Sequence, residues 1–509
     1  MPRRQRDGLG SGLGRVGVRL SGAGALRAAG LLSGQVAELL ADRYGVCLHP
    51  IPMRRKDASG AVELVNIRCG SVLEAKCGPC ARRARSLRVQ QCREGWYAEQ
   101  EPPARERRAP DGVLAGQADA GVGSAGELGQ GAAGRRSRST RRRVDMPDLP
   151  RRSRVPGTLG RVYVSPDGKR FRPSMFITVT LPGYGPVQRG TGVPVDPSTY
   201  DYVRAVRDSV HFSGLVDRLV RNLRRVAGYD LQYFGVIEPQ RRGAPHLHLA
   251  VRGTMARAEV RAVVAATYHH VWWPSTERVG YRGDRLPVWV SSAGGYCDPV
   301  TGEVLPTWGE SLDALGEEAD PFHVARFGTQ MDVRGLLGGE ESDRAVRYLT
   351  KYLTKSLGGQ MSADAGTGRR AAHVARLVAA LEFEPCSPSC ANWLRYGVQP
   401  KDARAGLVPG LCRGRAHQAA HLGYSGRRVR VSRRWSGKTV ADHAADRRAW
   451  VLATLGVDAA AAGEGAVWVR VPAGDASLPP RAVRLLREVA SVQERRARLE
   501  VRAGRSGSV

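Results

Sequence analysis

Residues 232–251 read QYFGVIEPQRRGAPHLHLAV, and the fold is decided there. Two runs of strand-forming residues, Gln232–Glu238 and Pro245–Val251, flank the short loop Pro239–Ala244, which is the pattern of a hairpin. Side chains alternate along a strand, so His246 and His248 share one face while Leu247, Leu249 and Val251 share the other. If the register pairs residue 238 with residue 246, the Glu238 carboxylate stands directly across from the first imidazole. Two imidazoles and a carboxylate with open positions suit Mn²⁺ or Mg²⁺ acting as a Lewis acid on a phosphate. The plainer alternative is a pair of hydrogen-bonded histidines near a surface.

Upstream of the hairpin, Val162–Val164, the turn Ser165–Gly168 and Phe176–Leu181 read as strands around a turn. Phe212, Leu215, Val216, Leu219, Val220, Leu223 and Val226 then keep helical spacing, and Gly228 closes that helix. Downstream, Thr254 is expected to cap a helix running to about Val271. This β-α-β-β-α order predicts an α+β fold: an antiparallel sheet with helices on one face.

A second motif follows about a hundred residues on. The stretch 347–355, RYLTKYLTK, holds two tandem Tyr-x-x-Lys units. Val346, Leu349, Leu353 and Leu357 recur at three- and four-residue steps, which predicts an amphipathic helix between a Ser342 cap and a Gly358–Gly359 stop. Tyr348 and Tyr352 are four apart and share one face, flanked by Lys351 and Lys355. A cation beside a phenol favours the phenolate and holds a phosphate oxygen, which suits a nucleophile. Tyr352, with Lys351 before it and Lys355 one turn on, is expected to attack first. The alternative is a surface helix with two half-buried tyrosines.

The nine cysteines fall mostly into two sets. Cys69, Cys77, Cys80 and Cys92 contain a CxxC half-site, with Cys47 and His49 upstream; Cys386, Cys390, Cys412 and His417 form the second set, with His421 spare. Both are read as structural Zn²⁺ sites, against the alternative of unrelated free thiols. The segment Ser432–Thr439 resembles a phosphate loop but has Ser432 where that pattern needs glycine. Arg427, Arg428, Arg430, Arg433, Arg434 and Trp435 are expected instead on a basic strand or loop touching DNA.

The expected division is a Cys-rich region (1–98), a basic linker (99–155), a nuclease core (156–365), a Cys/His module (366–440) and a helical tail (441–509). Within residues 1–40 a short helix is expected near Gln35–Tyr44. The linker ends in nine arginines between Arg135 and Arg154, which track phosphates without sequence preference or remain a solvated run. Net charge is +31, so the expected partner is a polyanion, foremost nucleic acid. Seven of the 79 basic residues are lysines, and two of those are Lys351 and Lys355. No run of 18 apolar residues occurs, so neither a membrane span nor a membrane partner is expected, and the expected location is cytoplasmic.

Together these motifs resemble the HUH endonuclease superfamily, and within it the replication initiators of actinobacterial rolling-circle plasmids and integrative conjugative elements. Phe176–Pro182 matches the first motif, Glu238–His248 the second and Tyr348–Lys355 the third. The paired tyrosines are also similar to the initiators of small isometric single-stranded DNA phages. The likeness extends over Phe212–Arg225, Thr267–Pro274 and much of 380–445. It implies a ferredoxin- or RRM-like HUH core in which Glu238, His246 and His248 hold the catalytic metal. One tyrosine then nicks an origin strand, leaving a 5′-phosphotyrosine and a free 3′-OH primer, and the other rejoins the strand at termination. The implied partners are origin DNA, single-stranded or as an extruded hairpin, and a host or element helicase. A relaxase or a single-strand transposase shares this chemistry. Relaxases of the common kind, however, carry three histidines and place their tyrosines before them, and the transposases are much shorter. A non-catalytic zinc DNA-binding regulator is the rival of a different class.

Overall fold

A computed structural model describes residues 34–57, 60–102, 141, 143–168, 170–337, 340–351, 368–455, 467–472 and 474–506. The chain divides into two compact units, one of residues 1–84 with 444–509 and one of residues 85–443. The expected Cys-rich N-terminal region and helical tail therefore contribute to the same unit. In it the late strand Val467–Arg470 pairs antiparallel with Ile51–Lys56, which pairs with Val62–Ile67. The final helix, Arg481–Ser506, packs on Gly34–Tyr44 through Leu485 and Val489 against Ala41 and Val46.

The larger unit is built on a five-stranded antiparallel sheet. In chain order its strands are β1 (Ser174–Thr180), β2 (Tyr233–Pro239), β3 (Pro245–Arg252), β4 (Met331–Leu336) and β5 (Val429–Val431), and across the sheet they run β4-β1-β3-β2-β5. The expected hairpin is β2–β3, and its register pairs Glu238 with His246 as anticipated. The mixed α+β, antiparallel character is also as read from the sequence.

Helices cover both faces of this sheet, not one. On the first face Met175, Ile177, Val179, Leu247, Leu249 and Val251 meet α1 (Tyr202–Ala227) through Phe212, Leu215, Leu219 and Leu223. Asp201 caps α1 by accepting the Arg204 amide hydrogen, and Gly228 ends it in the left-handed conformation at φ 72°. α2 (Arg257–Ala265) adds Val260, Val263 and Val264 to this core. On the second face Phe176, Phe234, Val236, Ala250 and Leu336 pack with Val346 and Leu349 of α3 (Glu340–Lys351), and with Cys92, Trp96 and Trp435. The fully buried Trp435 donates its indole N–H to the Cys92 carbonyl. A last helix, α4 (Gly368–Glu382), returns to the first face through Leu377 and Leu381.

Two further expectations are corrected, and a third is met in part. The helix expected from Thr254 to Val271 stops at Ala265, and Tyr268–Val271 forms a strand with His323–Arg326. Ser342 is buried inside α3 and does not cap it. The basic stretch after Arg427 forms a strand, Val429–Val431, as expected, and several of its arginines are engaged by the fold. Arg430 pairs with Asp217, Arg434 bridges to Glu101 at 3.2 Å, and Arg428 donates to the Ile237 carbonyl at 3.1 Å. Ser432 Oγ accepts the Tyr233 amide hydrogen at 2.8 Å, so this segment extends the sheet and is not a phosphate loop. Arg427 and Arg433 remain exposed.

Candidate metal and tyrosine centre

Even-numbered positions of the hairpin face α3, and this places the three expected ligands together. His246 Nε2 lies 3.0 Å and His248 Nε2 2.6 Å from the same oxygen of Glu238, and the two imidazole nitrogens are 2.7 Å apart. Three electron-pair donors converging this closely on one point could hold a metal ion. The set is nearly buried. Burial pushes the Glu238 carboxyl up, but hydrogen bonds from His246 and His248 outweigh it and bring it down to about 2. Burial also lowers His246 below the usual histidine range. At neutral pH the carboxylate is thus ionised and His246 neutral, the states in which each binds a metal.

Thr178 of β1 sits beside His248 in register, and its hydroxyl is 2.9 Å from His248 Nδ1. Accepting a hydrogen from Nδ1 there leaves Nε2 as the ligating nitrogen and fixes the ring plane. Phe176 stacks on the same ring at 5.8 Å. Neither partner was named as a site residue from the sequence, where both were read as strand formers within the Phe176–Pro182 stretch that matches the first motif. The signal available was their period: 176 and 178 share the face of 246 and 248 only once the β1–β3 register is known.

Tyr348 of α3 reaches this centre. Its hydroxyl is 3.4 Å from His248 Nε2, the two rings meet edge to face at 5.0 Å, and the residue is 43% exposed. The phenol is therefore at the Glu238–His246–His248 cluster and exposed to solvent. Lys351 is exposed on the last described turn of the same helix. Tyr352, Lys355 and the expected Gly358–Gly359 stop lie outside the described residues. α3 is held from a second side as well: Arg85 donates to the Thr350 carbonyl at 2.8 Å, and Asp343 takes Arg93 at 3.6 Å.

The cysteine sets gather too, with one exchange. Cys386, Cys390, Cys412 and His417 bring their ligand atoms within 4.8 Å of one another, as anticipated. In the N-terminal set Cys69, Cys77 and Cys80 are joined by Cys47, and Cys92 is not a member. Cys92 is fully buried among the apolar residues beneath the second sheet face, where burial raises its thiol pKa. Cys47 lies 22 residues before Cys69, a spacing that carries no motif by itself.

Along the sheet end where Thr180 pairs with His246, a cleft of about 1150 Å³ opens. Arg189, Arg204, Arg241, Arg242, Arg261 and Arg326 line it, and among the described residues no carboxylate does. No helix among the described residues is long and apolar enough to cross a membrane.

Comparison with known proteins adds the following. The family model RepSA, described as "Replication initiator protein, pSAM2", matches residues 33–491. The curated replication initiator protein of Streptomyces ambofaciens is 27% identical over 269 residues, covering 44% of this chain and 53% of that protein. The chain thus spans about half the length of the curated relative it matches. No solved structure matches.

Proposed function

The chain belongs to the RepSA family of replication initiators, and from that premise we propose that it initiates rolling-circle replication of a plasmid or other mobile element by HUH-type tyrosine chemistry. The observation that carries this reading is the approach of the Tyr348 hydroxyl to His248 at the Glu238–His246–His248 cluster. These three residues fit a divalent ion, Mn²⁺ or Mg²⁺, because their donor atoms converge and Thr178 leaves the His248 Nε2 lone pair free. When bound, that ion supplies Lewis-acid polarisation of the scissile phosphate.

The protein's own residues do the rest. The Tyr348 oxygen attacks phosphorus and forms the tyrosine–phosphate bond as the P–O3′ bond breaks. The phenol loses its proton, and the departing O3′ gains one, giving the 3′-OH primer. Lys351, one turn on, adds positive charge where the phosphate oxygens gain negative charge. The energy of the cleaved bond is kept in the phosphotyrosine, so rejoining needs no ATP. Tyr352 is the proposed second nucleophile for termination. We take Tyr348 as the first nucleophile because its hydroxyl reaches His248; Tyr352, expected first from the lysine pattern, lies outside the described residues. The basic cleft beside His246 supports a path for the single strand, since its arginines meet phosphates and its glycines let the backbone approach. Strand separation is assigned to a partner helicase.

The test is cleavage of single-stranded oligonucleotides tiling the DNA around the protein's own gene, with and without Mn²⁺. The proposal expects a metal-dependent nick with protein joined to the 5′ end, lost in His246→Ala/His248→Ala while DNA binding stays within a few-fold. Binding without cleavage of any tile would favour a non-catalytic regulator.

A further inference from the structure

We propose that the chain holds two structural zinc ions, one on Cys47, Cys69, Cys77 and Cys80 and one on Cys386, Cys390, Cys412 and His417. Distances carry the argument. A tetrahedral ion with Zn–S bonds of about 2.3 Å requires S–S edges of about 3.8 Å, and edges of about 3.6 Å where one ligand is an imidazole. In the first set Cys69 and Cys80 are 3.7 Å apart and Cys47 and Cys77 3.9 Å. In the second, Cys386 and Cys412 are 3.9 Å apart, and Cys390 Sγ is 3.5 Å from His417 Nε2. A disulfide would bring two sulfurs to about 2.05 Å. Instead each of the eight ligand atoms has one partner at tetrahedral-edge spacing, the four atoms of each set all lie within 4.8 Å of one another, and every one of these cysteines is a free thiol.

Backbone amides point at the sulfurs of both sets. In the first set the Leu48 amide donates to Cys77 Sγ at 3.4 Å and the Cys69 amide to Cys47 Sγ at 3.2 Å. Cys77 and Cys80 stand at the start of the helix Gly78–Trp96, where the free amide groups attract negative charge. Gly70, directly after Cys69, has φ 67°, the left-handed turn that lets its neighbour fold back toward the other sulfurs. In the second set the Gly414 amide donates to Cys412 Sγ at 3.4 Å. A Cβ at Gly414 would lie 3.0 Å from Cys386 Sγ and 3.3 Å from Cys412 Sγ, so a glycine is what fits against that cluster. Each bound ion displaces the thiol protons of its ligands, three or four per site, and leaves the first centre with two negative charges. Arg83 beside Cys80 offsets part of these.

Cys92 marks the difference from a reading by spacing. It lies on the same helix as Cys80, twelve residues on, and a helix rises about 1.5 Å per residue. That puts it about 18 Å along the axis, with its side chain among apolar neighbours.

The test is metal content per chain by mass spectrometry after dialysis against a chelating resin. It is done in the His246→Ala/His248→Ala variant, so that the separate cation site adds nothing and failure of the nicking proposal leaves the result intact. Two zinc ions are expected. Adding Cys47→Ser should lower the count to one, Cys412→Ser likewise, and Cys92→Ser should leave it at two. Loss of a site couples to unfolding, so a second arm uses the chain with no cysteine changed. Exchange with Co²⁺ should give thiolate charge-transfer absorption and the strong visible bands of tetrahedral cobalt. Fewer than two ions, a count unchanged by Cys47→Ser, a loss in Cys92→Ser, or an octahedral cobalt spectrum overturns the proposal.

Discussion

Thr178 holds His248 Nδ1 while Nε2 faces Glu238 and His246. A threonine in the middle of a buried strand is unremarkable as a sequence letter, yet its hydroxyl lies 2.9 Å from His248 Nδ1. Thr178→Val keeps the shape and the strand preference and removes that hydrogen bond. The expected outcome is a 10–100-fold loss of Mn²⁺ affinity, the usual size for an orienting partner, with little change in melting temperature. Titration calorimetry with Mn²⁺ checks it, and an unchanged affinity would show that the ring is oriented by Phe176 packing alone. At this scale the sequence was legible where a period fixes direction. His246, His248 and Glu238 were placed by alternation and one register. Cys92 was misassigned, and Cys47 left outside the ligand set, because spacing along a chain says nothing of which distant segments meet.

Among elements, those set by local pattern were legible and those set by long-range pairing were not. The helix Tyr202–Ala227 follows from its apolar stripe and its glycine stop, and the β2–β3 hairpin from its loop. Tyr268–Val271 was read as helix because the run before it is rich in alanine and valine. It became a strand because His323–Arg326, more than fifty residues later, pairs with it. That pairing buries imidazoles against α1. His211 and His269 lie 6.2 Å apart between the two elements, and Gly214 makes room, since a Cβ there would come 2.5 Å from His269. Burial first, then Arg218 and Arg221, lower His269 to about 4, and burial holds His211 well below the usual range. The sign follows directly. Both folded pKa values lie below the unfolded one, so the unfolded chain binds more protons, and stability is complete above pH 6.5 and lost as pH falls toward 4. His269 alone should account for roughly 2–3 kcal/mol across that window. Denaturant melts at pH 7 and pH 5 should show the loss, and His269→Gln should flatten its slope with pH. A slope unchanged in that variant would place the acid sensitivity elsewhere.

Over the whole molecule, a charge of +31 was legible at once as affinity for a polyanion, but not where that affinity resides. Several arginines that looked free are spent on the fold: Arg430 on Asp217, Arg434 on Glu101, Arg252 on the carbonyls of Gly95 and Trp435. The cleft beside His246 gathers six others, of which Arg241 and Arg242 also brace the Gly190, Leu181 and Pro182 carbonyls, and no carboxylate among the described residues lines it. Arg241→Ala/Arg261→Ala should weaken single-stranded DNA binding about 10-fold and reduce the slope of log affinity against log salt by one to two, as read by fluorescence anisotropy across a salt series. An unchanged slope would move the DNA path away from the cleft.

The initiator reading rests on a tyrosine acting at the Glu238–His246–His248 centre. The direct measurement is peptide mapping by mass spectrometry of the protein–DNA adduct formed with a cleaved oligonucleotide and Mn²⁺. The account predicts nucleotide mass on the peptide carrying Tyr348 in the first turnover, and its loss in Tyr348→Phe. Nucleotide on a residue outside the 348–352 segment, or an adduct that persists when both Tyr348 and Tyr352 are phenylalanine, would contradict it.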